Sequence, residues 1–182
     1  MNCISVGKLH LNNYVRLLWE QHATWTGMAI TSIVFKLPNE DQVINRLLRN
    51  PRDFAAFLSN FYGEEKGKEF GELLTSHLVL AAELFKAIMA KDEKKAEEIR
   101  TEWYKNGEEI AIFLSQINPY WSREVWQEMF FEHLGFVEAI GVNLINGNYE
   151  KAIETQDLLE LGALEMADVM IEGILKQFPC QF

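Results

Sequence analysis

The chain has 182 residues, of which 48% are hydrophobic and 24% charged, and its formal net charge at pH 7 is −10. This composition is ordinary for a globular protein and argues against intrinsic disorder. The length is most economically a single domain, residues 1–182, with a substantial core. The acidic balance disfavours binding to nucleic acid or to an anionic membrane, because both favour a basic surface.

Two cysteines, Cys3 and Cys180, stand near opposite ends of the chain. They form neither a disulfide framework nor a CxxC motif for redox chemistry or metal binding. The first residues lack the basic and apolar regions of a signal peptide, and no run reaches the roughly eighteen consecutive apolar residues of a membrane span. We therefore expect a cytoplasmic protein that does not bind membranes.

Helical spacing of apolar residues recurs through six segments, and no segment alternates in the manner of a strand. In the second segment Pro51 follows Asn50 and restarts a helix, Gly63 caps its end, and Ser122 caps the start of the fifth. The predicted helices cover about residues 11–36, 41–61, 64–90, 92–117, 122–146 and 149–178. Because the loops are short, we predict an all-α up-and-down bundle of about six helices, with the third to sixth as a four-helix core and the first two alongside.

Three histidines, His22, His77 and His133, lie near the middle of apolar stripes on three different predicted helices. Helical residues three and four positions apart share a face, and at these distances from each histidine the residues are mostly apolar or aromatic. An imidazole that points into a core needs a polar partner. Because antiparallel packing brings helix midpoints to one level, a metal ion shared by the three rings is the simplest partner.

Other polar residues fall on the same predicted stripes. In the sixth helix Asp168 interrupts an apolar ladder, and Glu165 lies one turn before it. In the fourth helix Asn106 interrupts an apolar seam that Glu109 borders. We therefore predict a mononuclear transition-metal site for Fe, Mn, Zn or Ni, held by the three histidines with Asp168 or Glu165 as a further ligand. Asn106 and Glu109 would lie behind these ligands and orient them, or occasionally bind the ion themselves.

Several segments resemble a family of short bacterial all-helical proteins, and the resemblance covers most of the chain. Its most specific parts are Leu-Trp-Glu-Gln-His at residues 18–22, Ile-Asn-Pro-Tyr-Trp at 117–121, Glu-His at 132–133 and Glu-Met-Ala-Asp at 165–168. The resemblance implies an all-helical fold. Some family members carry the label acetylglutamate kinase, whereas kinases of that type are larger α/β proteins with glycine-rich nucleotide loops. This chain has neither predicted strands nor such a loop.

The chain is also loosely similar to ferritin-like and hemerythrin-like metal-binding bundles. It lacks the Glu-x-x-His pair of the di-iron carboxylate sites. Its three predicted core histidines are also fewer than a hemerythrin-like di-iron site uses. These differences favour a single ion over a di-iron centre.

Two other interpretations stay open. The first is a non-catalytic homodimer in which the polar layer is structural. Its interface would be an apolar strip on the second helix, formed by Phe54, Phe57, Leu58 and Phe61. The second is a metal-free enzyme that binds a small molecule beside the core site and uses a core histidine as general base.

Overall fold

The computed structural model describes residues 4–182, which form six α-helices and a short 3-10 helix at Pro179–Gln181. The α-helices are α1 (Val6–Phe35), α2 (Glu40–Leu47), α3 (Asn50–Met89), α4 (Glu93–Ile117), α5 (Arg123–Ile145) and α6 (Tyr149–Gln177). No strand occurs among the described residues, and the predicted all-α bundle is confirmed. None of the described helices has the length and hydropathy that a membrane span requires. Cys3 lies outside the described residues, and Cys180 is exposed.

Side-chain caps mark the starts of three helices. Ser5 Oγ, Asp92 Oδ1 and Ser122 Oγ each accept a hydrogen bond from the backbone N–H three residues later, at 3.2, 3.1 and 3.3 Å. Each bond satisfies an N–H group that has no partner within the helix. The cap at Ser5 starts α1 at Val6, earlier than the predicted start at about Leu11. The first residues of α1 are mostly exposed and carry no apolar stripe, which explains the difference.

α3 bends sharply at Gly63, where φ is 83° and ψ is 163°. A positive φ of this kind is accessible mainly to glycine. The two arms of α3, residues 50–62 and 64–89, fold back against each other at close range. A Cβ atom on Gly67 would lie 2.5 Å from the carbonyl oxygen of Ala55 and 3.0 Å from the backbone nitrogen of Ser59. The glycine predicted to end the second helix therefore makes the turn between two packed arms.

The long helices pack side by side, and each contacts the next along the chain. α1 runs antiparallel to α6: Arg16 pairs with Asp168 in the second half of α6, whereas Gln156 Nε2 in its first half donates to Ala23 O at 3.4 Å. α1 also contacts α3 and α5, which closes the bundle. With Val15, Trp19 and Ala23 fully buried, α1 is part of the core and does not only pack alongside it.

The turn between α4 and α5 is held by hydrogen bonds to other helices. Trp121 Nε1 donates to Val169 O in α6 at 3.1 Å, and Asn118 Nδ2 donates to Tyr62 Oη, beside the bend in α3, at 2.9 Å. Gly173 leaves space for the indole ring, since a Cβ atom there would lie 2.0 Å from Trp121 Nε1. This turn therefore joins three helices at one end of the bundle.

The apolar strip considered as a dimer interface belongs to the core. Phe54 and Leu58 are fully buried, Phe57 is 5% exposed, and Phe61 is partly buried. The first arm of α3 carries these side chains and lies against α1, where the Phe54 and Trp19 ring centroids are 5.0 Å apart. The strip is already covered within one chain, so it is not the exposed surface that the dimer interpretation requires.

Candidate metal centre

The three predicted histidines meet at one level of the bundle. His22 of α1, His77 of α3 and His133 of α5 are 0%, 1% and 4% exposed. Each offers a ring nitrogen that lies within 4.8 Å of the nitrogens offered by the other two. His22 Nε2 and His133 Nε2 are 3.3 Å apart. Helices distant in the chain thus bring three imidazoles together, as their positions near helix midpoints predict.

Two of these histidines have the same kind of asparagine partner. The Nδ1 atom of His22 lies 3.1 Å from Asn50 Oδ1, and that of His77 lies 3.0 Å from Asn106 Oδ1. Each asparagine Nδ2 donates to the carbonyl oxygen four residues before its histidine, at 2.9 and 3.1 Å respectively. Asn50 follows its histidine by 28 positions and Asn106 by 29. The cluster therefore contains two copies of one His–Asn unit.

The orientation of each amide determines the tautomer of its imidazole. Because Nδ2 faces a carbonyl group, Oδ1 faces the ring, and an amide oxygen can only accept a hydrogen bond. His22 and His77 therefore donate from Nδ1, and their Nε2 atoms carry a lone pair. Metal-binding histidines are commonly held in this way, with a hydrogen bond on one ring nitrogen that fixes the tautomer and orients the ring.

Burial keeps these imidazoles neutral. Loss of solvation lowers the pKa of His22 from 6.5 to about 4. The same effect, with a further contribution from His22, lowers the pKa of His77 to about 3. The pKa of His133 also falls well below its usual value, because of burial and the two neighbouring imidazoles. At neutral pH each ring therefore has a lone pair available, as a metal ligand must.

His133 differs from the other two histidines. Among the described residues it has no asparagine partner and its Nδ1 atom is buried without a hydrogen bond, while its Nε2 atom faces that of His22. Aromatic side chains enclose the cluster: the Trp19 ring lies 5.8 Å from the His22 ring, and the Trp103 ring lies 5.5 Å from the His77 ring. The site is a polar layer inside an aromatic and aliphatic core.

The carboxylates predicted as ligands lie outside the cluster. Asp168 is exposed and forms an ion pair with Arg16, and Glu165 is also exposed. The prediction that they lie on the buried face of α6 is wrong. That face includes Ala163 and Ala167, both fully buried, where short side chains let neighbouring helices approach. The prediction assumes that α6 buries the side with its largest apolar residues, whereas the side that carries these alanines is buried.

Of the residues predicted to orient the ligands, Asn106 contacts one, as described above. Glu109 does not, since its half-exposed side chain pairs with Lys105 at 3.5 Å. The sequence patterns also give no indication of Asn50, which precedes Pro51 at a helix start and lies on no apolar stripe. The available signal was the near-equal spacing of the two His–Asn pairs.

The three donor nitrogens lie close enough together to hold a metal ion. Imidazole nitrogen binds Zn²⁺ at about 2.0–2.1 Å, so two such nitrogens on a tetrahedral ion lie about 3.3–3.4 Å apart. The 3.3 Å separation between His22 and His133 matches this value. The wider separations in the cluster, up to 4.8 Å, would have to shorten, by about 1.4 Å for the widest. The three rings thus form a donor set that a bound ion would draw closer together.

Comparisons with known proteins give no further assignment: no family model, no curated protein and no solved structure matches the chain. The functional assignment therefore depends on the geometry of the site.

Proposed function

We propose that the protein binds one transition-metal ion through His22, His77 and His133. The observation that carries the proposal is the pair of asparagines, Asn50 and Asn106. They hold two buried, neutral imidazoles in the tautomer that leaves Nε2 free, and they do so beside a third imidazole. A histidine buried only for packing has no need for this convergence of ring nitrogens.

Zn²⁺, Fe²⁺ and Ni²⁺ are the ions best matched to the proposed ligands. Imidazole suits these ions, whereas Mn²⁺ prefers oxygen donors, and within residues 4–182 neither a carboxylate nor a thiolate joins the cluster. An ion held by three histidines keeps a coordination position for water or another ligand. The ion would act as a Lewis acid toward the molecule bound at that position. The chain's own contribution is to hold the imidazoles neutral, oriented and shielded from bulk water.

A second candidate function is a metal-free polar layer that gives the bundle its register. It is favoured by the 3.3 Å separation between His22 Nε2 and His133 Nε2, which also suits a hydrogen bond. Because His22 presents a lone pair there, His133 would have to donate from Nε2. Metal binding instead requires a lone pair on the coordinating nitrogen, so coordination through Nε2 would move the proton of His133 to Nδ1. The tautomer of His133 therefore distinguishes the two functions.

Elemental analysis of the untagged protein, followed by calorimetric titration of chelator-treated protein with Zn²⁺, Fe²⁺ and Ni²⁺, tests metal binding. We expect close to one equivalent of metal in the parent, and its loss in His133→Ala. Two control variants should bind as the parent does: His10→Ala, whose histidine is exposed, and Asp168→Asn, whose carboxylate pairs with Arg16. A folded parent that holds no metal and gives no binding heat with any of the three ions would refute the proposal.

Long-range ¹H–¹⁵N correlation spectra of the imidazoles provide the second test. Chelator-treated protein should show His22 and His77 protonated at Nδ1 and His133 at Nε2. Titration with Zn²⁺ should move the His133 proton to Nδ1 and leave the other two tautomers unchanged. If Zn²⁺ leaves all three rings unaltered, the polar layer is structural.

A further inference from the structure

A second site is indicated by a cavity of about 200 Å³ between α1, α2 and α3. Short side chains at Ala29, Ala81 and Ala82 line it and leave the space unfilled. Larger apolar residues complete its buried wall, namely Ile30, Ile33, Leu47, Leu78 and Phe85. The charged lining residues, Glu83 and Lys86, are both exposed and belong to the rim. The interior of the cavity is therefore almost entirely apolar.

Thr26 is the exception in this lining. It is 4% exposed, and among the described residues its hydroxyl has no hydrogen-bond partner. The other five of the six threonines in the chain donate to a group in the preceding turn of their own helix. A buried hydroxyl without a partner costs free energy on the order of 1–3 kcal/mol. Its presence in an apolar cavity points to a partner from outside the chain.

Water is a poor candidate for that partner. A buried water molecule needs two to four polar contacts, and Thr26 is the only buried polar side chain among the lining residues. A charged ligand is also disfavoured, because no buried opposite charge would compensate for its loss of solvation. An apolar cavity of about 150 Å³ accepts benzene. The larger cavity here has space for one aromatic ring with a small substituent.

We propose that this cavity binds a neutral, mainly apolar small molecule whose single hydroxyl or carbonyl group hydrogen-bonds with Thr26. Thr26 follows His22 by one helical turn, and Ala81 follows His77 by one turn. A helical turn rises about 5.4 Å, so the polar end of the molecule would lie next to the histidine layer. No histidine lines the cavity, and its occupation does not depend on the proposed metal.

Paired titrations with benzyl alcohol and toluene, monitored by methyl NMR on the full chain, test this proposal. Both molecules should shift the methyl signals of Ile30 and Leu78. The nearly isosteric Thr26→Val substitution should weaken benzyl alcohol binding by about two- to tenfold, the range for one neutral hydrogen bond. It should leave toluene affinity within twofold of the parent, and the results should be the same with and without a chelator.

The variant Ala82→Leu locates the binding, because its larger side chain fills the cavity. This substitution should weaken the binding of both benzyl alcohol and toluene at least tenfold. If it does not fold by circular dichroism, intermolecular NOEs from the ligand to Ile30 and Leu78 in the parent replace it. The proposal is overturned if neither molecule binds at millimolar concentration, if Thr26→Val weakens both equally, or if the contacts are instead to Met28 and Ile153 in the open groove between α1, α5 and α6.

Discussion

Mild acid should destabilise the protein, because its core holds histidines that remain neutral when the unfolded chain takes up protons. The pKa of His22 is about 4 and that of His77 about 3 in the folded state, against 6.5 for an unperturbed imidazole. The unfolded state therefore binds more protons below pH 6.5, and stability falls as pH falls through the interval between these values. Above that interval both states are neutral and the contribution to stability is complete.

The size of the effect follows from the same values. At pH 5, protonation of each unfolded imidazole favours unfolding by about 2 kcal/mol, while the folded state gains almost nothing. His22 and His77 together account for about 4 kcal/mol between pH 7.5 and pH 5, and His133 adds in the same direction. With a urea slope of about 2 kcal/mol per M, the midpoint of unfolding should fall by about 2 M or more.

Urea titrations of chelator-treated protein at several pH values, followed by circular dichroism, measure this dependence. His133→Leu removes one of the three buried groups and should make the decline with pH shallower. His10→Ala, in which an exposed histidine is replaced, should leave it unchanged. A parent midpoint that stays constant between pH 7.5 and pH 5 would contradict the assignment of three buried neutral imidazoles.

Two further predictions concern single contacts. Asn106→Ala removes the acceptor that orients His77 and should weaken Zn²⁺ binding by about 10- to 100-fold in a competition titration; unchanged affinity would show that the amide does not orient the ligand. Gly173→Ala places a methyl group against the Trp121 indole and should destabilise the protein by about 1–3 kcal/mol. The matched change Gly162→Ala, in the same helix but with its nearest neighbour at 3.9 Å, should stabilise it by about 0.5–1 kcal/mol. Similar melting temperatures for the two glycine variants would rule out the close approach at Trp121.

The helices were predictable because local signals mark them. The charged run at Asp92, the cap at Ser122 and the prolines delimit helices within a few residues of their observed ends. The close approach between the arms of α3 was not predictable in this way, since it depends on Gly67 facing Ala55 across the bend. Contacts between the two arms depend on how their side chains fit together. The residue pattern within one helix gives no information about that fit.

The candidate site shows the same difference between residues marked by a local pattern and residues placed by packing. His22, His77 and His133 were found because a polar residue inside a long apolar stripe is conspicuous. Asp168 was misplaced, because a helix that packs through alanines can bury a face different from the one with its largest apolar side chains. Asn50 reaches the cluster only through the packing of the first arm of α3 against α1, and no local pattern reports that packing.

The histidine cluster can be completed only after its last histidine has been synthesised. His22 and His133 are separated by 111 positions, and synthesis from the N-terminus adds His133 last of the three histidines. A nascent chain that ends with α4 already contains both His–Asn units but lacks the third imidazole. The three-nitrogen site exists only once α5 has joined the bundle, so a chain truncated before His133 could bury two histidines and still have no complete site. Occupancy of the centre would thus report that α5 has been made and has docked against α1.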